Sequence, residues 1–226
     1  VLEKVVKAMY TGHGPVMASR YGRLISLKSN NRSMNSLIQS WKRTKANSFS
    51  EYKEIMALLA NTSNNTVYAD ADGNIAYWHG NFHPVRDTLY DWSKPVDGTI
   101  SATEWKGLHP VDASIHVYNP DNGWIQNCNS TPFTCAGKNS PDKNKYPRYM
   151  APEGENFRGI NASRVLQQQK EYTLDKVTAA GYDTYLSAFE LMIPVLLQHA
   201  QKSIQPGDPL DTLLTKPLKV LKQWDY

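Results

Sequence analysis

Cysteine is nearly absent, and what little there is excludes two chemistries. The chain has two, Cys128 and Cys135, flanking the segment N-S-T-P-F-T. Two thiols so placed make no metal site by themselves, and a C-x-x-C redox motif needs a shorter spacing. A small-loop disulfide, which an exported protein permits, or two inert buried thiols remain open, with the thiols favoured because Cys128 lies inside a strand pattern. Long apolar runs are also missing. None approaches the length of a membrane span, and the opening V-L-E-K-V-V-K-A-M-Y does not have the layout of a signal peptide. There is no G-x-S-x-G, no Walker loop and no G-x-G-x-x-G, so the hydrolase-elbow serine and the common nucleotide sites are excluded. Internal repeats and low-complexity tracts are absent. Charge of one sign is not in large excess either. The net charge is +4, with lysines and arginines scattered among acids, which reads as a solvated surface and not as a nucleic-acid interface.

What is present is ample for a packed core. The 226 residues are 40% apolar and 20% charged, with 13 Tyr and 6 Trp, which argues against disorder. The chain begins without an initiator Met and ends on K-Q-W-D-Y within a helical pattern, so it is read as a piece of a longer polypeptide.

The pattern of elements is α+β, strand-rich first and helical later. Turn residues at Gly14-Pro15 and Gly22 divide His13 to Lys28 into two strands. Met34, Leu37, Ile38 and Trp41 fall at helical spacing behind a Ser33 cap, and Tyr52, Ile55, Met56 and Leu59 mark a second helix capped by Ser48 or Ser50. Thr66 to Ala69 and Asn74 to Trp78 form a hairpin through Asp70-Ala71-Asp72-Gly73. From Asn81 to Asp121 the periodicity fades and Pro84, Pro95 and Pro110 argue for loops. A short buried strand is expected at Gly123. Helices are then expected over Asn161 to Lys170, Thr173 to about Ala180, Ser187 to Lys202 around Pro194, and Asp211 to Trp224 around Pro217. Thus residues 1–135 are mostly strands and loops with a helical pair near 33–60, residues 160–226 are mostly helical, and no linker separates two domains.

Three groups carry candidate chemistry. Asp70 and Asp72 are a conceivable metal or catalytic pair, but D-x-D-G in a hairpin is ordinary turn chemistry. His79, His83, His109 and His116 fall in the loop-rich middle. Gly80 interrupts the H-x-x-x-H at His79 to His83, so its two rings are not expected to share a face. The third group is Asn127 and Asn129 in G-W-I-Q-N-C-N-S-T-P-F. Two apart in a strand, they would point to one face. Buried amides must use their donors and acceptors, so the pair either anchors the following loop or aims N–H donors into a pocket. An oxyanion hole built that way is worth ~3–4 kcal/mol of barrier.

Read together, the motifs resemble the penicillin acylase (penicillin amidase) family of N-terminal-nucleophile hydrolases over nearly the whole chain. The matching segments are H-G-P-V (His13 to Val16), N-T-V-Y-A-D-A-D-G-N-I-A-Y (Asn65 to Tyr77) with Pro84 and Arg86, N-P-D-N-G-W-I-Q-N-C-N-S-T-P-F (Asn119 to Phe133), Y-P-R-Y-M-A-P-E, N-A-S-R-V-L (Asn161 to Leu166) and Trp224-Asp225. The segments Q-N-C-N-S-T-P-F and Y-P-R-Y-M-A-P look more like the cephalosporin acylase and acyl-homoserine-lactone acylase branch.

The resemblance implies part of a four-layer αββα sandwich, in which autocatalytic cleavage of a precursor exposes a Ser that attacks a linear amide through its own α-amino group. It implies Asn129 as the oxyanion-hole residue, Arg164 as the arginine that orients it, and Asn127 as a supporting scaffold amide. No metal or organic cofactor is needed; a structural calcium occurs in such enzymes, but no residue pattern here supports one. The expected partners are a small-molecule amide substrate and the remaining segments of the same precursor, with no nucleic acid and no membrane span. The expected location is periplasmic or secreted. In the family the nucleophilic Ser, the histidine after it and the second oxyanion donor lie upstream of this region. Val1 is not that Ser, so this internal section of the large chain is expected to be inactive alone and to leave sheet edges and apolar faces uncovered. Trp78, Phe82, Trp92, Trp105 and Phe133 are candidates for an acyl pocket or for core packing. The alternative is a ligand-binding homologue of the same fold without catalysis.

Overall fold

The computed structural model describes residues 3, 7–30, 33–61, 64–205 and 207–225; Val1 lies outside them. Two short antiparallel sheets form. Strands β1 (Tyr10–Thr11), β2 (Gly14–Arg20) and β3 (Arg23–Ser26) make the first, in the order β1-β2-β3. Strands β4 (Thr66–Ala69), β5 (Ile75–Trp78) and β6 (His116–Tyr118) make the second, in the order β4-β5-β6. The D-A-D-G turn closes the β4–β5 hairpin as expected, because Asp70 is built into it. Its carboxylate accepts from the Asn74 backbone N–H, the Asn74 amide and the Tyr68 hydroxyl.

β5 is the middle strand of its sheet and is covered on both sides, so its side-chain alternation separates two cores. Ala76 and Trp78 pack with Met56 of helix α2 (Phe49–Met56) on one face. Tyr77 packs with Val117, Cys135 and Ala136 on the other. A third cluster joins Ile115, Met150 and Ala151. Both cysteines are free thiols. Cys135 is buried, which pushes its thiol up to about 12, and Cys128 is partly exposed.

The α1 helix (Met34–Arg43) forms where its spacing predicts, yet its apolar stripe faces outward. Met34, Leu37 and Trp41 are each about two-thirds exposed, while the buried residue is Gln39, whose amide accepts from the Ala60 N–H and donates to Met56 Sδ. The later helices are α3 (Phe157–Gln167), α4 (Leu174–Gly181), α5 (Ser187–Ser203) and α6 (Pro209–Lys222). Asn156 caps α3 through Gly159 N–H, so that helix begins at Phe157 and not at Asn161.

Two expectations need correction. The stretch read as loop from Asn81 to Asp121 contains β6, a strand of three residues and too short to show a period of its own. The strand expected at Gly123 is absent. Gly123 (φ 72°) and Asn129 (φ 53°) are both left-handed, which breaks the pleat, and Gln126 N–H bonds Cys135 C=O instead of a neighbouring strand. Asn127 and Asn129 are therefore loop residues, both exposed, with separate partners.

Candidate active site

The loop carrying Asn129 is held residue by residue. Asn65 Nδ2 donates to Asn127 Oδ1 at 3.1 Å. Asn156 Nδ2 donates to the Cys128 carbonyl at 3.1 Å while its Oδ1 caps α3, so one side chain fastens loop to helix. The Thr131 N–H donates to the Gly154 carbonyl at 3.0 Å. Ser130 packs directly on Gly159, where an added Cβ would stand 2.6 Å from Ser130 Oγ. Asparagine is among the few residues that tolerate the left-handed conformation Asn129 adopts.

Arg158 Nη1 donates to Asn129 Oδ1 at 3.4 Å. With its acceptor occupied, Asn129 presents an amide Nδ2 that has no protein partner among the described residues. The expected contact between Arg164 and Asn129 is not formed. Arg164 instead donates through Nε to Asn161 Oδ1 at 3.0 Å, pairs with Asp183, and lies 4.2 Å from the ring centre of Tyr185. Arg158 sits in the first turn of α3, in a place that only the earlier helix start could have revealed.

Asn129 borders a cleft of about 330 Å³ that also takes in Asn65, His79, His83, Met150 and Glu153. Behind it runs a chain of hydrogen bonds that sequence reasoning missed. The Tyr77 hydroxyl lies 3.0 Å from His79 Nδ1, and His79 Nε2 lies 3.3 Å from Glu153 Oε2. The hydrogen bond from His79 holds Glu153 below the usual carboxylate range. Burial raises the Tyr77 phenol, so it stays protonated. Tyr77 in β5 and His79 just beyond its end are two residues apart and lie on one side, a spacing visible in Y-W-H, whereas Glu153 comes from a distant loop.

The expectation that Gly80 would keep the two histidine rings apart is overturned. Gly80 takes φ 63° and turns the chain back, so the rings of His79 and His83 stack 6.2 Å apart at 9°. Both His79 nitrogens are nonetheless committed to Tyr77 and Glu153, and His83 Nε2 bonds the His79 carbonyl at 2.6 Å. Burial lowers His83 to about 4 and keeps it neutral near pH 7. No group of three or more metal-ligating side chains occurs among the described residues. Of the five aromatic candidates, Phe82 lines the cleft, Trp78 and Phe133 belong to the packed clusters, and Trp92 and Trp105 flank the Arg86 guanidinium.

The penicillin amidase family model matches residues 3–226. The chain belongs to the penicillin amidase family. It is 31% identical over 194 residues to penicillin G acylase of Escherichia coli, a match that covers 84% of this chain and 21% of that protein. A thermostable penicillin G acylase from Alcaligenes faecalis superimposes with a TM-score of 0.67 at 25% identity, covering 94% of this chain and 37% of that one. The chain thus spans about a fifth of the first relative and little more than a third of the second. The family match agrees with a mixed helix-and-sheet fold and with amide hydrolysis as the family's chemistry. The helices among the described residues include none long and apolar enough to cross a membrane.

Proposed function

We propose that this chain is a section of an amidohydrolase that separates an acyl group from an amine at a linear amide, with Asn129 as an oxyanion donor. The observation that carries the reading is the fixed, left-handed Asn129 with its carbonyl oxygen held by Arg158 and its Nδ2 left to donate at the edge of a cleft. The nucleophile is an N-terminal Ser supplied by another segment of the precursor. Its Oγ adds to the amide carbon while its proton passes to the Ser α-amino group, a base whose ordinary pKa lies near neutrality. The carbonyl oxygen becomes an oxyanion held by Asn129 Nδ2. The C–N bond then breaks, the amine leaves with the transferred proton, and water releases the acyl group from the Ser ester. No cofactor enters these steps. The outward apolar faces of α1 and of α5, with Leu191, Met192 and Val195 exposed, support packing against further precursor segments. Export to the periplasm or beyond belongs to the same proposal.

The test is Asn129→Ala in the full-length processed enzyme. Removing one oxyanion donor is expected to lower kcat by about 10²–10³-fold with KM little changed. Normal turnover in that variant would overturn the reading.

A further inference from the structure

We infer that the cleft beside Asn129 selects amide substrates bearing a primary ammonium group, which Glu153 receives as a fixed carboxylate; the inference rests on the amidase reading above. The argument begins at Tyr77, which is 1% exposed. A buried phenol must place its proton on an acceptor, and the partner within reach is His79 Nδ1 at 3.0 Å. Nδ1 then accepts, so the imidazole proton resides on Nε2, the nitrogen that faces Glu153 Oε2 at 3.3 Å. If Nδ1 carried the proton instead, the phenol proton would be left without a partner in the core.

The order is therefore Tyr77 O–H to His79 Nδ1, then His79 Nε2–H to Glu153. It directs a donor at one oxygen of a carboxylate whose side chain is 46% exposed. The other oxygen remains available. With Nδ1 accepting, His79 orients that carboxylate through its Nε2–H, and burial keeps His83 neutral. Among the described residues that line the cleft, Glu153 then supplies the one formal charge. Arg158 approaches Asn129 but is not part of the lining. An ammonium on the substrate gains a charge-assisted hydrogen bond there, and a substrate carboxylate meets repulsion. Tyr77 and His79 are positioning residues in this scheme, and Glu153 is the contact.

The experiment uses the full-length processed enzyme with two matched probes, phenylalanine p-nitroanilide and 3-phenylpropionyl p-nitroanilide, which differ by the ammonium group. The wild type should favour the first in kcat/KM by about tenfold or more, the range for a charge-assisted hydrogen bond. Glu153→Gln should erase that preference through KM while leaving the neutral probe within about twofold. Tyr77→Phe should weaken it in the same direction, because Nε2 is no longer obliged to carry the proton. Equal turnover of the two probes by the wild type overturns the inference and leaves the amidase reading standing. Equal losses on both probes in Glu153→Gln overturn it too, since they mark the carboxylate as a structural brace. Failure of the processed wild type to cleave either anilide counts against the amidase reading itself.

Discussion

Gly159→Ala tests whether the approach of α3 to the Asn129 loop is set by the absence of a side chain. Gly159 is buried inside the helix, and its φ is not in the left-handed range, so alanine is conformationally welcome there. On propensity alone the change stabilises by ~1 kcal/mol. The new methyl, however, would stand 2.4 Å from Glu155 Oε1, 2.6 Å from Ser130 Oγ and 2.9 Å from Ser130 Cβ. Glu155 is exposed and can swing away at the loss of its bond to the Asn156 N–H. Ser130 has no such freedom. It is buried, and its neighbour Thr131 is tied to Gly154. Overpacking of that kind costs ~1–3 kcal/mol, so after the propensity gain the net expectation is a loss of up to ~2 kcal/mol. Because the helix is pushed off the loop, amide turnover should fall as well. Chemical denaturation of Gly159→Ala, Ser130→Gly and the double variant measures this. In the Ser130→Gly background the added methyl meets neither Ser130 atom, so its cost should vanish or become a gain. A stabilising Gly159→Ala in the wild-type background, or one equally costly in both, would refute the steric account.

Two further expectations follow from the site. Arg158→Ala should lower kcat in the processed enzyme but have no further effect once Asn129 is alanine, since the guanidinium acts through Asn129 Oδ1; additive losses in the double-mutant cycle would separate the two residues. His83 supplies the pH prediction. Its unfolded pKa is 6.5 and its folded pKa about 4, so below pH 6.5 the unfolded chain binds a proton that the native one refuses. Stability should therefore fall from pH 6.5 towards 4, by at most ~3 kcal/mol. Glu153, whose folded pKa is depressed, gives up its contribution only below the ordinary carboxylate range. The interval from about pH 6.5 to 4.5 thus reports the two histidines that burial holds below their ordinary range, His83 and, to a lesser depth of burial, His109. His83→Gln should reduce the pH slope of the denaturation midpoint across that interval; an unchanged slope would contradict the assignment.

The parts of the fold that were legible in the sequence are those governed by local rules. The D-A-D-G turn, the Ser48 cap and the helical spacing of α2 each depend on residues a few positions apart, and each appears where expected. The Gly123 strand failed because an apolar run specifies burial and not a pairing partner. Its neighbour turned out to be Cys135, a few residues along the same loop. At the site, Asn127 and Asn129 drew attention as amides, but what fixes them comes from Asn65, Asn156 and Arg158, at separations no local pattern encodes. The start of α3 illustrates the point. Asn156 caps the helix through Gly159 N–H, and its second bond to the Cys128 carbonyl makes it part of the site, which only the folded chain displays.

The orientation of α1 adds a last step. A helix whose amphipathic stripe is strong but whose buried residue is Gln39 has its apolar side turned away from the core described here. Gln39 is not an error of packing, because its amide is satisfied by the Ala60 N–H and by Met56 Sδ. Met34, Leu37 and Trp41 are the ones without cover, and leaving three large apolar side chains in water forgoes ~1.5–3 kcal/mol for each that could be buried. Periodicity thus identified the helix, while its apolar stripe is turned away from the core of the described residues. The same logic applies to Leu191, Met192 and Val195 of α5. On the reading proposed above, in which the chain is a section of a longer amidohydrolase, these faces are where added precursor segments should raise its stability.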